Sequence, residues 1–361
     1  MGGRGALALR IVVAAAAMTA PVPVSAKAGF ALFAETWQAP SAEQPAARQI
    51  IARATAALER TPGAIPRLHT EGTLPGHGIR DASIAAKQDQ LIVFDLAMAW
   101  RLTGDRRFLR AAIRYLDDWT AIYRPSLNPI DETGFDTMML ATDLVAPELT
   151  PARRARFTAF WRGMAAGYLD AMDAGAPNPT TNWQSHRVKL ATLGAFMSGD
   201  AALIDRARKA FRRQVSANIL ADGSVEDFRL RDALHYVVYD LDPLLMASLA
   251  AARHGEEWFS WQSPSGSSLP RALGWLEPYA TGARQHMDFA YTTNAFDRAR
   301  AAAGDATYAP HLWKPGASVR TYALASLCDP SYAPLLARIV RNSGKRPSAW
   351  MTLLLGEQQR R

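Results

Sequence analysis

The chain has 361 residues, of which 49% are hydrophobic and 20% charged, and its formal net charge is +8. This length is enough for one large core or two domains, and a single cysteine, Cys328, excludes an internal disulfide. The positive net charge favours an acidic partner. The basic residues fall mainly on predicted helical faces among alanines, which argues against a nucleic-acid-binding groove.

The first 26 residues have the layout of a secretory signal peptide. Arg4 and Arg10 supply a positive start, Ile11 to Ala20 is a short apolar run, and Val24-Ser25-Ala26 resembles a cleavage site. We therefore expect this leader to be removed and the mature chain to be secreted or periplasmic. No later segment is long and apolar enough to predict a membrane span.

Apolar residues recur at helical spacing along much of the remaining chain. One such stretch runs from Leu91 to Ala121 and is interrupted at Gly104-Asp105, and another runs from Leu190 to Ile219 and is interrupted at Gly199-Asp200. Glycine readily takes the left-handed conformation that ends a helix, and aspartate caps the next one. Each stretch therefore predicts a hairpin of two helices.

Other turn signals extend this pattern. Thr150 and Pro151 predict the cap and first residue of a further helix, and a third hairpin is predicted to turn at His254-Gly255. Strand signals are weak, and no fixed short repeat of a solenoid is present. We therefore predict an all-α, (α/α) toroid as one domain over residues 27–361. Its long loops, expected to surround a central cleft, fall at residues 62–82, 124–136, 174–187 and 261–292.

Residues 222–241 concentrate polar and aromatic side chains on a predicted helix. Arg231, His235 and Tyr239 are spaced four residues apart, so on a continuous helix they share one face, with Tyr236 beside His235. Such groups are costly to bury unless they are hydrogen-bonded or functional. A hydrogen-bond network between hairpins is the alternative interpretation.

A second polar cluster lies in the predicted loop before a helix that we expect to begin near Val188. It contains Asn182, Trp183, His186 and Arg187, and alone it is typical of a capping loop. The two segments together supply the groups for β-elimination at a uronic acid. That reaction needs neutralisation of the carboxylate, a base at C5 and an acid at O4. Tyrosine can act as both base and acid if nearby positive charge lowers its pKa.

The motif NWQSHR, followed by DGSVEDFRLRDALHYVVYDLDPL, resembles the alginate lyase superfamily of (α/α) toroid enzymes. The upstream segments LHTEGTLPGHGIRD and NPIDETGFDTMMLATDL resemble the same group, so the likeness covers most of residues 65–245. Members of this group cleave polymannuronate, glucuronan and similar polyuronates. The resemblance implies a polysaccharide lyase that needs no metal.

The resemblance also implies roles for individual residues. Asn182 and His186 match a pair that neutralises the substrate carboxylate, although the family has them adjacent, and Tyr236 matches the catalytic tyrosine. The family's helix arginine falls at Phe228, so another arginine would have to replace it: Arg229, Arg231 or Arg187. The predicted catalytic set is Asn182, His186, Arg231, His235 and Tyr236.

Further residues are expected to bind the substrate, namely His69, Lys87, Trp183, Arg187, Tyr239 and Tyr291. Tyr239 and Tyr291 also remain alternatives for the catalytic tyrosine. Asp131 is expected to cap the helix that follows it. The histidines lack metal-ligand spacing, so neither a metal site nor a cofactor is predicted. The one predicted partner is an anionic polysaccharide, and the sequence makes no prediction of oligomeric state.

Two other functions use the same kind of cleft. An inverting glycoside hydrolase would need two carboxylates about 6.5–9.5 Å apart, and the candidates are Asp81, Asp131, Glu132, Asp136, Glu226 and Asp232. A non-catalytic polysaccharide-binding protein would not need Tyr236. The grouping of Asn, His, Arg and Tyr favours the lyase.

Overall fold

The computed structural model describes Gly2 and residues 29–358, and the expected signal peptide, apart from Gly2, lies outside them. The helices are α1 (Pro45–Ala57), α2 (Arg80–Thr103), α3 (Arg106–Ile122), α4 (Pro129–Glu132), α5 (Phe135–Val145), α6 (Pro151–Asp173), α7 (Asn182–Ser198), α8 (Ala201–Asn218), α9 (Glu226–Arg231), α10 (Leu234–Arg253), α11 (Leu269–Ala280), α12 (Ala295–Ala302), α13 (Val319–Cys328), α14 (Ala333–Ser343) and α15 (Ala349–Gln358). Two short strands, β1 (Met287–Asp288) and β2 (His311–Leu312), pair antiparallel.

The helices form two layers around a ring. Helices α2, α5, α7, α10 and α13 pack side by side as the inner layer, α15 and α1 complete the ring, and α3, α6, α8 and α14 pack outside. From α2 to α8 the long helices alternate between the inner and the outer layer along the chain. This architecture confirms the predicted all-α, (α/α) toroid. No helix of the described segment combines the length and apolarity that crossing a bilayer requires.

The two predicted hairpin turns are confirmed. Gly104 (φ 71°) and Gly199 (φ 67°) end α2 and α7 in the left-handed conformation, and Asp105 and Asp200 accept hydrogen bonds from backbone N–H groups of the next helix. Thr150 caps α6 as expected. These turns are set by a few neighbouring residues, which is why sequence alone locates them.

Several predicted loop boundaries are wrong. Helix α7 begins at Asn182 and not near Val188, and α2 begins at Arg80, inside the first predicted loop. The loops at 124–136 and 261–292 contain α4 and α11. Gly255 is left-handed (φ 76°) after α10, but the next helix begins only at Leu269, so the third hairpin has a long connection.

Residues 222–241 open with a turn, as predicted, but the prediction that they continue as one helix is wrong. Asp232 takes a left-handed conformation (φ 53°) and separates α9 from α10. The carboxylate of Asp288 then accepts the backbone N–H groups of Leu234 and His235, at 2.8 and 3.0 Å, and so caps α10. Arg231 therefore does not share one helix face with His235 and Tyr239.

Candidate active site

Most of the predicted site residues lie at the N-terminal ends of α5, α7 and α10, where two irregular segments pack against them. The segment before α2 is anchored there by Asp131. The segment after α11 is anchored through Asp232, whose backbone carbonyl accepts the N–H of Phe289 at 2.7 Å and whose carboxylate accepts the N–H of Tyr291 at 2.7 Å.

Arg231 and Tyr236 form the centre of the candidate site in spite of the helix break between them. Nη1 of Arg231 donates to the Tyr236 hydroxyl, and Cζ lies 4.0 Å from the centre of the Tyr236 ring. The same Nη1 donates to Oδ1 of Asp297 at 2.7 Å, and the Tyr236 hydroxyl donates to that oxygen at 3.3 Å. Tyr236 is 5% exposed, so its hydroxyl is held between a cation and a carboxylate away from bulk water.

Burial, and not the neighbouring charge, dominates the ionisation of Tyr236. Burial raises its pKa above the ordinary value, the charge of Arg231 opposes this shift, and Tyr308 and Asp297 add to it. The positive charge of Arg231 thus lowers the pKa of Tyr236 in the expected direction, but burial outweighs it and the net shift is upward. Burial likewise raises the pKa of Asp297, against the charge of Arg231.

Asp227 links Asn182 to this centre. Its carboxylate accepts the backbone N–H and the side-chain Nδ2 of Asn182, each at 2.6 Å, and one of its oxygens lies 3.8 Å from Nε of Arg231. Burial raises the pKa of Asp227 to about 6, while the hydrogen bonds from Asn182 and the charge of Arg231 oppose the shift. Asn182 is consequently oriented by a carboxylate that also faces Arg231.

His186 is held from one side by Thr133 and Lys189. Its Nδ1 lies 2.7 Å from the Thr133 hydroxyl. Nζ of Lys189 donates to that hydroxyl oxygen at 2.9 Å, to the Thr133 carbonyl at 2.8 Å and to Asp136 at 2.7 Å. Lys189 and His186 thus share the hydroxyl of Thr133.

On its other side, His186 packs against Tyr239. The two ring centres are 4.4 Å apart, and Nε2 is buried facing the backbone carbonyl of Tyr239, without a well-formed hydrogen bond among the described residues. Burial lowers the pKa of His186 well below its usual value, and the charges of Lys189 and Arg320 add to this. The structure thus places His186 as a neutral, buried ring packed against Tyr239.

His235 and Tyr239 lie next to this pair. Their rings are 6.2 Å apart with an angle of 12°, and His235 also meets Tyr236 edge-on at 5.1 Å. Burial lowers the pKa of His235 to about 4, and the charges of His311, Arg231 and Arg300 contribute. Burial raises the pKa of Tyr239. The predicted grouping of His235, Tyr236 and Tyr239 is therefore present, built on the first turns of α10.

His69 and Lys87 belong to a cluster around Asp131. The Asp131 carboxylate accepts the backbone N–H groups of Thr70 and Glu71 at 2.6 and 2.8 Å, and it lies 3.1 Å from Nδ1 of His69. Lys87 donates to the Thr70 hydroxyl at 2.7 Å. Asp131 therefore fastens the first long loop and does not cap the following helix as expected, since it lies within α4 and α5 begins after Gly134 without a side-chain cap.

Three predicted substrate-binding residues lie outside this centre. Nη1 of Arg187 donates to the carbonyl of Pro177 at 2.8 Å and to Gln184 at 3.1 Å, and Trp183 packs on its guanidinium at 5.6 Å. Arg187 is 2% exposed, which indicates that its guanidinium makes structural contacts inside the protein and is not a free cation. Tyr291 is 86% exposed, and its side chain projects from the segment after α11.

Sequence reasoning missed several residues of the site. Lys189 follows His186 by three residues and would share its face on a helix, so a correct start for α7 would have revealed it. Asp297, Arg300 and Tyr308 lie far along the chain and carry no local signal. In the described residues no group of three or more His, Cys, Asp or Glu could hold a metal ion.

Two of the six carboxylates that a hydrolase could use are engaged in contacts within the protein. Glu132 is fully buried and accepts hydrogen bonds from the hydroxyls of Tyr123 and Tyr168, and Asp136 pairs with Lys189 at 2.7 Å. A general acid and base must be free to exchange protons with the substrate. This arrangement disfavours the hydrolase.

The family model described as alginate lyase matches residues 36–286, which is more than half of the chain. The protein belongs to the alginate lyase family. It is thus a polysaccharide lyase acting on a uronate polymer.

Solved structures share the fold. An alginate lyase from Bacteroides ovatus is 17% identical with a TM-score of 0.64, over 87% of this chain and 94% of that one. Alginate lyase A1-III from a Sphingomonas species is 20% identical with a TM-score of 0.50, over 65% of this chain and 76% of that one. Its variant with a tyrosine replaced by phenylalanine, complexed with a tetrasaccharide, aligns with the same values. No curated protein sequence matches this chain.

Proposed function

We propose that this chain cleaves a mannuronate- or glucuronate-containing polyuronate by syn β-elimination, with Tyr236 as base and acid. The observation that carries the proposal is the contact between the Arg231 guanidinium and the Tyr236 hydroxyl, beside Asn182. The layout of the first 26 residues adds the proposal that the enzyme acts in the periplasm or outside the cell.

The proton balance follows from the contacts of Tyr236. Asp297, which accepts the hydrogen bond of the hydroxyl, takes the phenolic proton as substrate binds, and Arg231 stabilises the phenolate. The phenolate removes the C5 proton, the C4–C5 double bond forms, and the C4–O4 bond breaks. Tyr236 then returns its proton to O4, and the new chain end leaves as an alcohol.

Neutralisation of the substrate carboxylate is assigned to Asn182 and Arg231, which Asp227 holds together. Charge builds on that carboxylate as C5 loses its proton, so fixed donors there lower the barrier. His186 is buried against Tyr239 and is assigned the role of orienting α10, so it acts on the substrate only through Tyr239.

One tyrosine can perform both proton transfers only if H5 and O4 lie on the same side of the sugar ring. This is so for mannuronate and glucuronate, whose elimination is syn, and not for guluronate. The names of the similar solved proteins, which are alginate lyases, support a polyuronate substrate.

The test is a panel of polymannuronate, polyguluronate and glucuronan, assayed by the ultraviolet absorbance of the unsaturated product. Tyr236→Phe removes only the phenolic oxygen and should lower turnover at least about a hundredfold while circular dichroism is unchanged. Tyr239→Phe is the matched control on the same helix and should retain more activity. Reducing ends without unsaturated product would instead identify a hydrolase, and binding without cleavage a polysaccharide-binding protein.

A further inference from the structure

Arg300 on α12 is a cation held by two aromatic rings, in the part of the chain that the family model does not match. Its Cζ lies 4.2 Å from the ring centre of Phe296 and 4.5 Å from that of Tyr308. Across residues 29–358, no carboxylate lies within 4.0 Å of this guanidinium, and it donates no hydrogen bond to another side chain. A half-buried arginine in this state keeps its donors available for an anion.

A cavity of about 70 Å³ lies between α12 and the segment before α2. Arg300 and Tyr308 line one side of it, and Arg80 and Thr70 line the other. The carboxylate near Arg80 is that of Asp81, 3.6 Å away, whose side chain is 68% exposed and therefore binds it weakly. Two arginines from distant parts of the chain thus line one small space.

Asp305 also lines this cavity, but its carboxylate is engaged by the chain itself. It accepts the backbone N–H of Thr307 at 3.1 Å and so caps the short turn that carries Tyr308. The cavity therefore retains a positive balance.

This cavity adjoins the candidate active site. Burial raises the pKa of both Tyr236 and Tyr239, and the charge of Arg300 opposes the shift in each. Thr70, on the opposite wall, is the residue held by Asp131 and Lys87. An anion bound between Arg80 and Arg300 would accordingly belong to the same substrate chain as the sugar at Tyr236.

We propose that Arg300 and Arg80 bind a second carboxylate of the substrate, that of a uronic acid next to the one being cleaved. This inference rests on the proposed function and specifies its substrate as a chain of consecutive uronic acids. A planar guanidinium pairs with a carboxylate through two parallel hydrogen bonds. The rings of Phe296 and Tyr308 hold Arg300 in place beforehand, so little side-chain freedom is lost on binding.

The test uses the full chain with Tyr236→Phe, so that ligands are bound and not cut. Calorimetry compares an oligouronate with the same oligomer whose alternate carboxyl groups are reduced to alcohols. Arg300→Gln and, separately, Arg80→Gln should each weaken binding of the oligouronate about tenfold, the range of one charge-assisted contact. Binding of the reduced oligomer should change little. Arg298→Gln, an exposed arginine on the same helix, is the control and should change neither.

The outcomes separate this inference from the proposed function. If the parent enzyme releases unsaturated product and Arg300→Gln binds both oligomers as the parent does, the second carboxylate site is wrong and the lyase assignment stands. Equal weakening for both oligomers would also overturn the site, because it would indicate general loss of charge or structure. If the parent cuts no polyuronate but the two arginine variants still discriminate between the oligomers, the site stands and the proposed reaction fails.

Discussion

Pro243 follows Tyr239 by four residues within α10, and because proline has no N–H, the Tyr239 carbonyl lacks its intrahelical donor. The buried Nε2 of His186 faces this carbonyl, while its Nδ1 meets Thr133. His186 lies on α7 and thereby connects this helix to α10 and to the turn between α4 and α5. His186 therefore positions the first turns of α10, which carry the two candidate tyrosines, Tyr236 and Tyr239.

Thr133→Val should uncouple this connection. The change keeps the side-chain shape but leaves Nδ1 of His186 and one N–H of Lys189 without their partner, at a cost of about 1–3 kcal/mol in the free energy of unfolding. Turnover should fall more than KM rises, because α10 shifts under the catalytic tyrosine. Urea unfolding and steady-state kinetics measure the two effects.

Thr142→Val is the control for this prediction. Thr142 is a buried threonine on α5 whose hydroxyl donates to the Met138 carbonyl and accepts from Nε1 of Trp161. Thr142→Val should lower the free energy of unfolding without a selective loss of turnover. If both variants lose turnover in proportion to stability, the positioning role of Thr133 is wrong.

The two buried histidines of the site should make the fold sensitive to mild acid. The pKa of His235 is lowered to about 4 by burial, so the folded state binds fewer protons than the unfolded chain, whose histidines have a pKa of about 6.5. Stability present at neutral pH is therefore lost as pH falls from about 6.5 toward 4. His235→Gln should flatten the free energy of unfolding in that window, measured by urea titration at several pH values. An unchanged slope would show that His235 is solvated.

Asp240 should be protonated in the folded enzyme. It is fully buried and accepts a hydrogen bond from the hydroxyl of Ser185. Its Oδ2 and the Oδ1 of Asn218 are both buried without a hydrogen-bond partner among residues 29–358. Burial raises its pKa well above the usual value, with Asp227 adding to the shift. A proton on Asp240 would let it donate to Asn218 and satisfy both atoms.

Because a raised carboxyl pKa makes the folded state bind the extra proton, stability falls as pH rises above the unfolded value of about 3.9. Asp240→Asn mimics the protonated form, so it should match the parent near pH 5 and exceed it near pH 8 in urea unfolding. Asp240→Ala leaves Ser185 unpartnered and should be less stable than Asp240→Asn at both pH values. A parent more stable than Asp240→Asn at pH 8 would indicate an ionised Asp240.

Polymer binding should weaken with added salt. The screening length shrinks from about 10 Å at 0.1 M to about 3 Å at 1 M, so contacts of partly exposed arginines with substrate carboxylates lose strength. KM for a polyuronate should therefore rise steeply with sodium chloride, while Arg300→Gln shows a shallower dependence. A KM independent of salt would argue against charge recognition.

The helical ring could be predicted from sequence because its turns are local, but the polar segments could not be placed from pattern alone. Helix α7 is surrounded by α5, α6, α8 and α10, so it buries polar side chains such as His186 and Lys189 on several faces and shows no amphipathic stripe. The sequence at the start of α7 is therefore typical of a loop. The break at Asp232 depends on Asp288, which is distant in sequence and has no signature near the break. Tyr236 was identifiable by resemblance, whereas its partner Asp297 depends on tertiary packing.

The segment after residue 286 has a consequence for how the protein could be divided. Asp288 caps α10 and Asp297 pairs with Arg231, and α13 and α15 close the ring. Asp288, Asp297, α13 and α15 all lie beyond residue 286, where the family match ends. A truncation at that boundary would remove the contact between Asp297 and Arg231 in the candidate site together with two helices of the ring, so the matched region lacks part of the packing that closes the fold. Recombination between relatives at this point should yield inactive chimeras unless both parts come from the same parent.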